Sequence, residues 1–183
     1  MSARGLLLEV QFGFRPKHST ALQLVRLTER VSRNFDERRL AGAVFLYVAK
    51  AFDTVWVDGL LYKLATLNFP SYLVKTVYSY LKGRTFEASF QSATSTTRRM
   101  QAGVVQGGII SPVLFSLYVN DMPSHSRHVE LALYADDTDV IATSRQPAQL
   151  VKYLETYLSS LQRAAERMED HHRRLEELHY ALR

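Results

Sequence analysis

The sequence contains no cysteine, which excludes disulfide bridges, thiolate metal centres and cysteine nucleophiles. Long apolar runs are also missing. None approaches the roughly 18 residues that a bilayer-spanning helix needs, so no membrane partner is expected. The apolar stretch at Leu6–Leu8 is too short for a signal peptide. Tryptophan occurs once, at Trp56, and there is no internal repeat or low-complexity linker. These absences fit an intracellular protein, nuclear or cytoplasmic.

What is present describes a foldable chain. Its 183 residues are 46% hydrophobic and 22% charged, with a mean hydropathy of −0.15. That is the size of one domain with apolar residues enough for a core. The net charge of +5 and pI near 9.5 favour a polyanionic partner, because each phosphate met by Lys or Arg releases counterions.

Hydrophobic spacing predicts a helix over 19–35, with Thr20 and Gln23 as a capping box and Leu24, Leu27, Val31 and Phe35 on one face. The apolar run 41–49 has strand length and predicts a strand buried on both faces. Asp58 and Ser71 are candidate caps for two short helices, and 84–90 alternates like a strand. Ser111-Pro112 opens a further helix through about Asp121, with proline where its missing N–H is harmless. Two apolar runs, 129–134 and 138–143, flank Ala135-Asp136-Asp137, which reads as a hairpin tip. From Pro147 the chain is helical, with Leu150, Leu154, Tyr157, Leu158 and Leu161 on one face and dense charge beyond Arg163. Helices and strands mix without regular βαβ alternation, which predicts an α+β fold around an antiparallel hairpin.

Adjacent aspartates at a turn are ordinarily turn formers. Held between two strands, they also suit hard divalent cations, which take oxygen ligands and can clamp a phosphoryl-transfer centre. Here the flanks matter. Tyr134-Ala135-Asp136-Asp137 resembles the central motif of reverse transcriptases. Gln11-Phe-Gly-Phe-Arg15 with His18-Ser-Thr20 looks like the fingers motif of the non-LTR retrotransposon kind. Phe45-Leu-Tyr47-Val-Ala-Lys50-Ala-Phe-Asp53 resembles their first palm motif, and Ala102 to Pro112, containing Gln106-Gly107-Gly108, resembles the loop and helix that follow. The blocks stand in the family's order over about 11–160.

The resemblance implies a partial reverse transcriptase domain from 1 to 183, with a fingers portion at about 11–40. A palm with a returning fingers segment would span about 41–145, and a long helix with a charged end 146–183. It implies Asp136 and Asp137 as catalytic, metal-binding carboxylates, joined by the Val48 backbone carbonyl, with two Mg²⁺ ions as cofactors. It implies Phe52, Gln106, Gly107 and Arg15 as nucleotide contacts; Lys17, Arg84, Arg98 and Arg99 are further candidates for phosphate or groove. Without that context Phe52 reads as core and the basic residues as solvated charges. Template RNA, DNA primer, deoxynucleoside triphosphates and other parts of a retrotransposon polyprotein would be the partners.

One departure stands out. Where the family's first palm motif has a metal-binding Asp, this chain has Tyr47. Tyrosine is neutral at pH 7, with a pKa of about 10, and its ring fills space a cation needs. Asp53 lies six positions on, about 20 Å along an extended chain, whereas metal ligands sit within about 2.1–2.6 Å. Asp139 is expected to face solvent or an arginine. Val105 and Gly108 stand where the family has Pro and Ser. No downstream Lys-containing motif is recognisable, and His171, His172 and His179 lack helix-face ligand spacing and read as solvated. The resemblance therefore points to an impaired polymerase, or to an inactive module that binds RNA or an RNA–DNA duplex.

Overall fold

The structure, a computed structural model, describes residues 7–123 and 126–181, with side chains as far as Asp170 except that of Glu169. His171, His172 and His179 lie outside the described side chains. The chain divides into two compact units, one formed by residues up to Val48 with those from Val119, the other by Ala49–Tyr118.

In the first unit, α1 (Thr20–Asp36) leads into β1 (Leu40–Leu46). The hairpin follows as β6 (Val129–Tyr134) and β7 (Asp137–Ser144), and α5 (Pro147–Ala181) closes the unit. The strands form one antiparallel sheet in the order β1-β7-β6. Alternation sends Val129, Leu131, Leu133, Val140 and Ala142 to one face, where they pack with Val10 and with Leu150 and Tyr157 of α5. Burying each such aliphatic side chain contributes about 1.5–3 kcal/mol. A Cβ on Gly42 would come 2.6 Å from Leu150 Cδ2, so the absence of a side chain lets α5 cross there. Burial pushes the Tyr157 phenol up to about 12, and the hydroxyl donates to Pro123 O at 3.0 Å. The opposite face meets α1, whose Arg26 and Arg30 pair with Glu130 at 2.5 and 3.2 Å.

The expected hairpin and the long helix are both present, but several local expectations need correction. β1 is an edge strand, and none of its residues is fully buried. A continuous apolar run identifies a strand without saying how many neighbours it has. Ser19, not Thr20, caps α1, accepting from Leu22 N at 3.2 Å. The residues of α1 that become fully buried are Gln23 and Asn34, while Leu24 and Phe35 are 61% and 64% exposed.

In the second unit, α2 (Val57–Thr66) and α3 (Ser71–Leu81) precede four two-residue strands, Thr85–Phe86, Ser89–Phe90, Ala93–Thr94 and Arg98–Arg99 (β2 to β5). α4 (Ser111–Tyr118) ends the unit, shorter than expected. Neither expected cap forms. Trp56 and Pro70 occupy the cap positions without side-chain bonds, and Asp58 instead pairs with Lys82 at 2.8 Å. The strand expected over 84–90 is broken into two short pieces that pair β2 with β5 and β3 with β4.

Candidate active site

The hairpin tip is built from its own strands and from a segment far away in sequence. Tyr134 pairs with Asp137, leaving Ala135 and Asp136 as the turn, and Ala135 takes φ +59. Val10 and Phe12 bond to the backbone of Leu133 in β6, at 3.0 and 2.8 Å. This lays the Gln11 side chain against the turn. Gln11 is 2% exposed; its Oε1 accepts from Gly13 N at 2.8 Å and Ala135 N at 3.1 Å, and its Nε2 donates to Ala135 O at 3.3 Å. A Cβ on Gly13 would lie 2.1 Å from Ala135 N. Gln11 and Gly13 thus hold the hairpin tip in place. Their positioning role was not foreseen in the sequence, where only the glycine between two aromatics hinted at a close approach.

Arg15, expected at a nucleotide phosphate, donates from Nη1 to Leu8 O at 3.1 Å and Gln11 O at 3.3 Å. In this structure it braces the loop that carries Gln11. Asp136 is half-buried at the turn and Asp137 exposed. The β1–β7 register runs to Leu46↔Thr138, which sets Tyr47, 79% exposed, level with Asp137. Val48 follows, beyond the end of β1.

Tyr47, Asp137 and Asp139 line one cavity of about 380 Å³. Asp139 therefore turns toward Asp137 and Tyr47 instead of an arginine, because residues two apart on a strand share a face. Burial, then the charge of Asp137, raises its carboxyl above the ordinary carboxylate value. A raised acid pKa means that the fold disfavours the ionised form. Its contribution to stability is full below the unfolded value and is lost as pH rises through the folded one. Asp139→Asn is accordingly expected to melt higher than the parent at pH 7, with the gap closing as pH falls through the carboxylate range. A gap unchanged between pH 3 and pH 7 in thermal scans would contradict this.

In the second unit, Gln106 Nε2 donates to Asp53 Oδ1 at 2.9 Å. Gly103 N and Val104 N reach back to Val55 O and Phe52 O, each at 2.8 Å. Gly103 has φ +90, and a Cβ there would meet Asp53 O at 2.8 Å; Gly107 has φ +76 in open space. The two motif segments, with Asp53 and Gln106 53 residues apart in sequence, are therefore one unit of structure, with Asp53 orienting Gln106. Phe52 stacks on Phe115 at 4.7 Å and 19°. At Gly108, a Cβ would come 2.4 Å from Tyr80 Oη and 2.8 Å from Ser111 Oγ, so a side chain there would require those hydroxyls to shift. Arg84 donates to Leu81 O at 2.9 Å and to Gly103 O, while Arg98 and Arg99 are exposed on β5.

Residues 3–172 match the family model described as reverse transcriptase (RNA-dependent DNA polymerase). The chain belongs to the reverse transcriptase family. A "Probable RNA-directed DNA polymerase from transposon BS" of Drosophila melanogaster is 37% identical over 88% of this chain and 18% of the relative. The "RNA-directed DNA polymerase from mobile element jockey" of the same species is 38% identical over 85% of the chain and again 18% of the relative. A "Reverse transcriptase-like protein" of Chlamydomonas reinhardtii is 25% identical over 80% of the chain and 37% of its own length. This reverse transcriptase segment thus spans about a fifth of the Drosophila relatives, 18% of each. Among the described residues no helix is long and apolar enough to cross a membrane.

The donor set at the tip does not fit the two-metal centre that the family implies. Among the described residues no three His, Cys, Asp or Glu side chains gather as a metal-binding group, and the Tyr47 side chain stands level with Asp137.

Proposed function

We propose that this chain is the palm and part of the fingers of an RNA-directed DNA polymerase from a non-LTR retrotransposon, with nucleotidyl transfer impaired at Tyr47. The observation that carries this reading is the Tyr134–Asp137 tip, clamped by Gln11 and Gly13, with Tyr47 level with its second carboxylate. Asp136 and Asp137 are the catalytic carboxylates of this reading. In this reading the Val48 backbone carbonyl would join Asp136 and Asp137 in holding Mg²⁺ if position 47 also supplied a carboxylate. Phe52, Gln106 and Gly107 contact the incoming nucleotide, Gln106 being oriented by Asp53. RNA template, DNA primer and deoxynucleoside triphosphates are the substrates, and the remainder of a retrotransposon polyprotein supplies the other parts.

Tyr47 also favours a second reading, in which the fold persists as an inactive binder of RNA or an RNA–DNA duplex. Both readings expect the +5 chain to bind an RNA–DNA duplex through phosphate contacts. Affinity should fall roughly tenfold or more between 50 and 200 mM salt. Primer extension on an RNA template separates the two: slow extension that Asp136→Asn abolishes supports the polymerase, and salt-sensitive binding without extension supports the binder. Undetectable duplex binding at low salt would count against both.

A further inference from the structure

α5 is 35 residues long, about 52 Å, whereas β7, the longest strand of the sheet it covers, has eight residues and spans about 27 Å. The helix packs on β1, β6 and β7 through Leu150, Tyr153, Leu154 and Tyr157, all in its first third. From Arg163 to Asp170 no described side chain is buried. The second half of α5 thus extends past the residues that anchor it, and a lone helix of such length is marginal in water.

The periodic spacing does not stop where the core stops. Leu154, Leu158, Leu161, Ala165, Met168, His172, Leu175, His179 and Leu182 follow one another in steps of four and three. That is a period of 3.5 residues kept over about four heptads, the signature of a coiled coil. A helix that covers a globular surface shows a wider stripe, and the narrow a/d row is the seam for another helix. With Leu161, Met168 and Leu175 at d, the a positions are Ala165, His172 and His179. Charge elsewhere on the segment is balanced, with four arginines and five carboxylates from Arg163 to Glu177. A polyanion or an anionic membrane selects an excess of cations, so neither suits this segment. The charges support the helix itself, as where Gln162 Nε2 donates to Glu166 Oε1 at 2.9 Å.

We propose that the second half of α5 pairs with the same segment of a second copy of this chain, as a parallel, in-register, two-stranded coiled coil. The histidines select both the partner and the direction. In parallel register each a position meets its own copy, so position 172 meets 172 and 179 meets 179. A neutral imidazole has one donor and one acceptor, and each such pair can therefore form a hydrogen bond. Antiparallel alignment would set His172 against Met168 and Glu169 against Glu169, leaving an imidazole unmet and two like charges together. Parallel register instead places His171 at g beside Glu176 at e of the second copy, the positions that set partner and orientation. Polar residues at a specify register and strand number at a cost in stability. The inference uses only α5 and does not rest on the polymerase reading.

Sedimentation equilibrium of the full chain, without nucleic acid and from about 1 to about 200 μM, is the test; a monomer–dimer equilibrium in the micromolar range is expected. Met168→Lys should weaken association at least tenfold. His172→Leu combined with His179→Leu should strengthen it at least tenfold, because the polar a positions are then apolar. Arg167→Ala, at position c, should change it less than about twofold. Amide exchange at Val140 and Ala142, core residues of β7, should match the parent in every variant, which separates dissociation from unfolding. Direction is read by cross-linking, since the chain has no cysteine of its own. Leu175→Cys chains should form disulfide dimers in a glutathione buffer, and Ala165→Cys should not cross-link to Leu175→Cys in a mixture of the two. Four results would overturn the proposal: a monomer at every concentration, association unchanged in Met168→Lys, association weakened by the two leucines, or preferential cross-linking of position 165 to position 175. Dimers that appear only when RNA is added would overturn it as well, by assigning the association to nucleic acid.

Discussion

Replacing Tyr47 with aspartate in the scaffold of a full-length relative is expected to speed RNA-templated primer extension at least ~100-fold over the same scaffold carrying tyrosine. A factor of that size corresponds to about 2.7 kcal/mol of transition-state stabilisation, comparable to the loss of one electrostatic contact from a preorganised site. The physical reason is the charge balance at the tip. Asp137 is exposed and Asp136 half-buried, and the register places position 47 beside them. On the proposed reading, a carboxylate at position 47 adds a negative charge level with Asp137, where cations would bind. Because Tyr47 is 79% exposed, the substitution should leave stability within about 0.5 kcal/mol, so a rate change would not reflect folding. Adding Asp136→Asn to Tyr47→Asp should remove the gain. Equal extension by the tyrosine and aspartate forms would show that Tyr47 does not limit the centre.

Gly13→Ala is expected to lower stability by about 3 kcal/mol or more, at the upper end for overpacked positions. For a chain of this size that is roughly 6–12 °C in melting temperature. The new methyl would meet Ala135 N at 2.1 Å and Ala135 Cα at 2.7 Å. Both are backbone atoms of a tight turn, so neither can swing aside as a flexible side chain would. Relief requires the loop to lift from the tip, which breaks the Gln11 bridges to Gly13 N and Ala135 N. Amide exchange at Ala135 should accelerate together with the drop in melting temperature. A variant melting within 2 °C of the parent, with Ala135 still protected, would mean that the tip does not depend on this clamp.

Some of this protein could be read directly from its residues. The hairpin around Asp136 and Asp137 was legible because alternation, a turn dipeptide and β-forming flanks all specify the same local geometry. The helix from Pro147 was legible for the same reason, and its Leu150 and Tyr157 are in the core as their spacing predicts. Membership of the reverse transcriptase family followed from the order of the motif blocks.

Tertiary structure decided what each of those residues touches. Edge or centre cannot be read from an apolar run, so β1 became an edge strand although its composition suits a strand covered on both faces. Capping depends on where the chain enters a helix, and Ser19 took the role expected of Thr20. The pairing of Asp53 with Gln106, the Gln11 clamp on Ala135 and the meeting of Gln23 with Asp139 in one cavity each join residues more than 50 positions apart. Local sequence encodes local backbone preference. Such long-range contacts are set only when the sheet register and helix packing are complete, which is why the tip could be foreseen while the residues that hold and surround it could not.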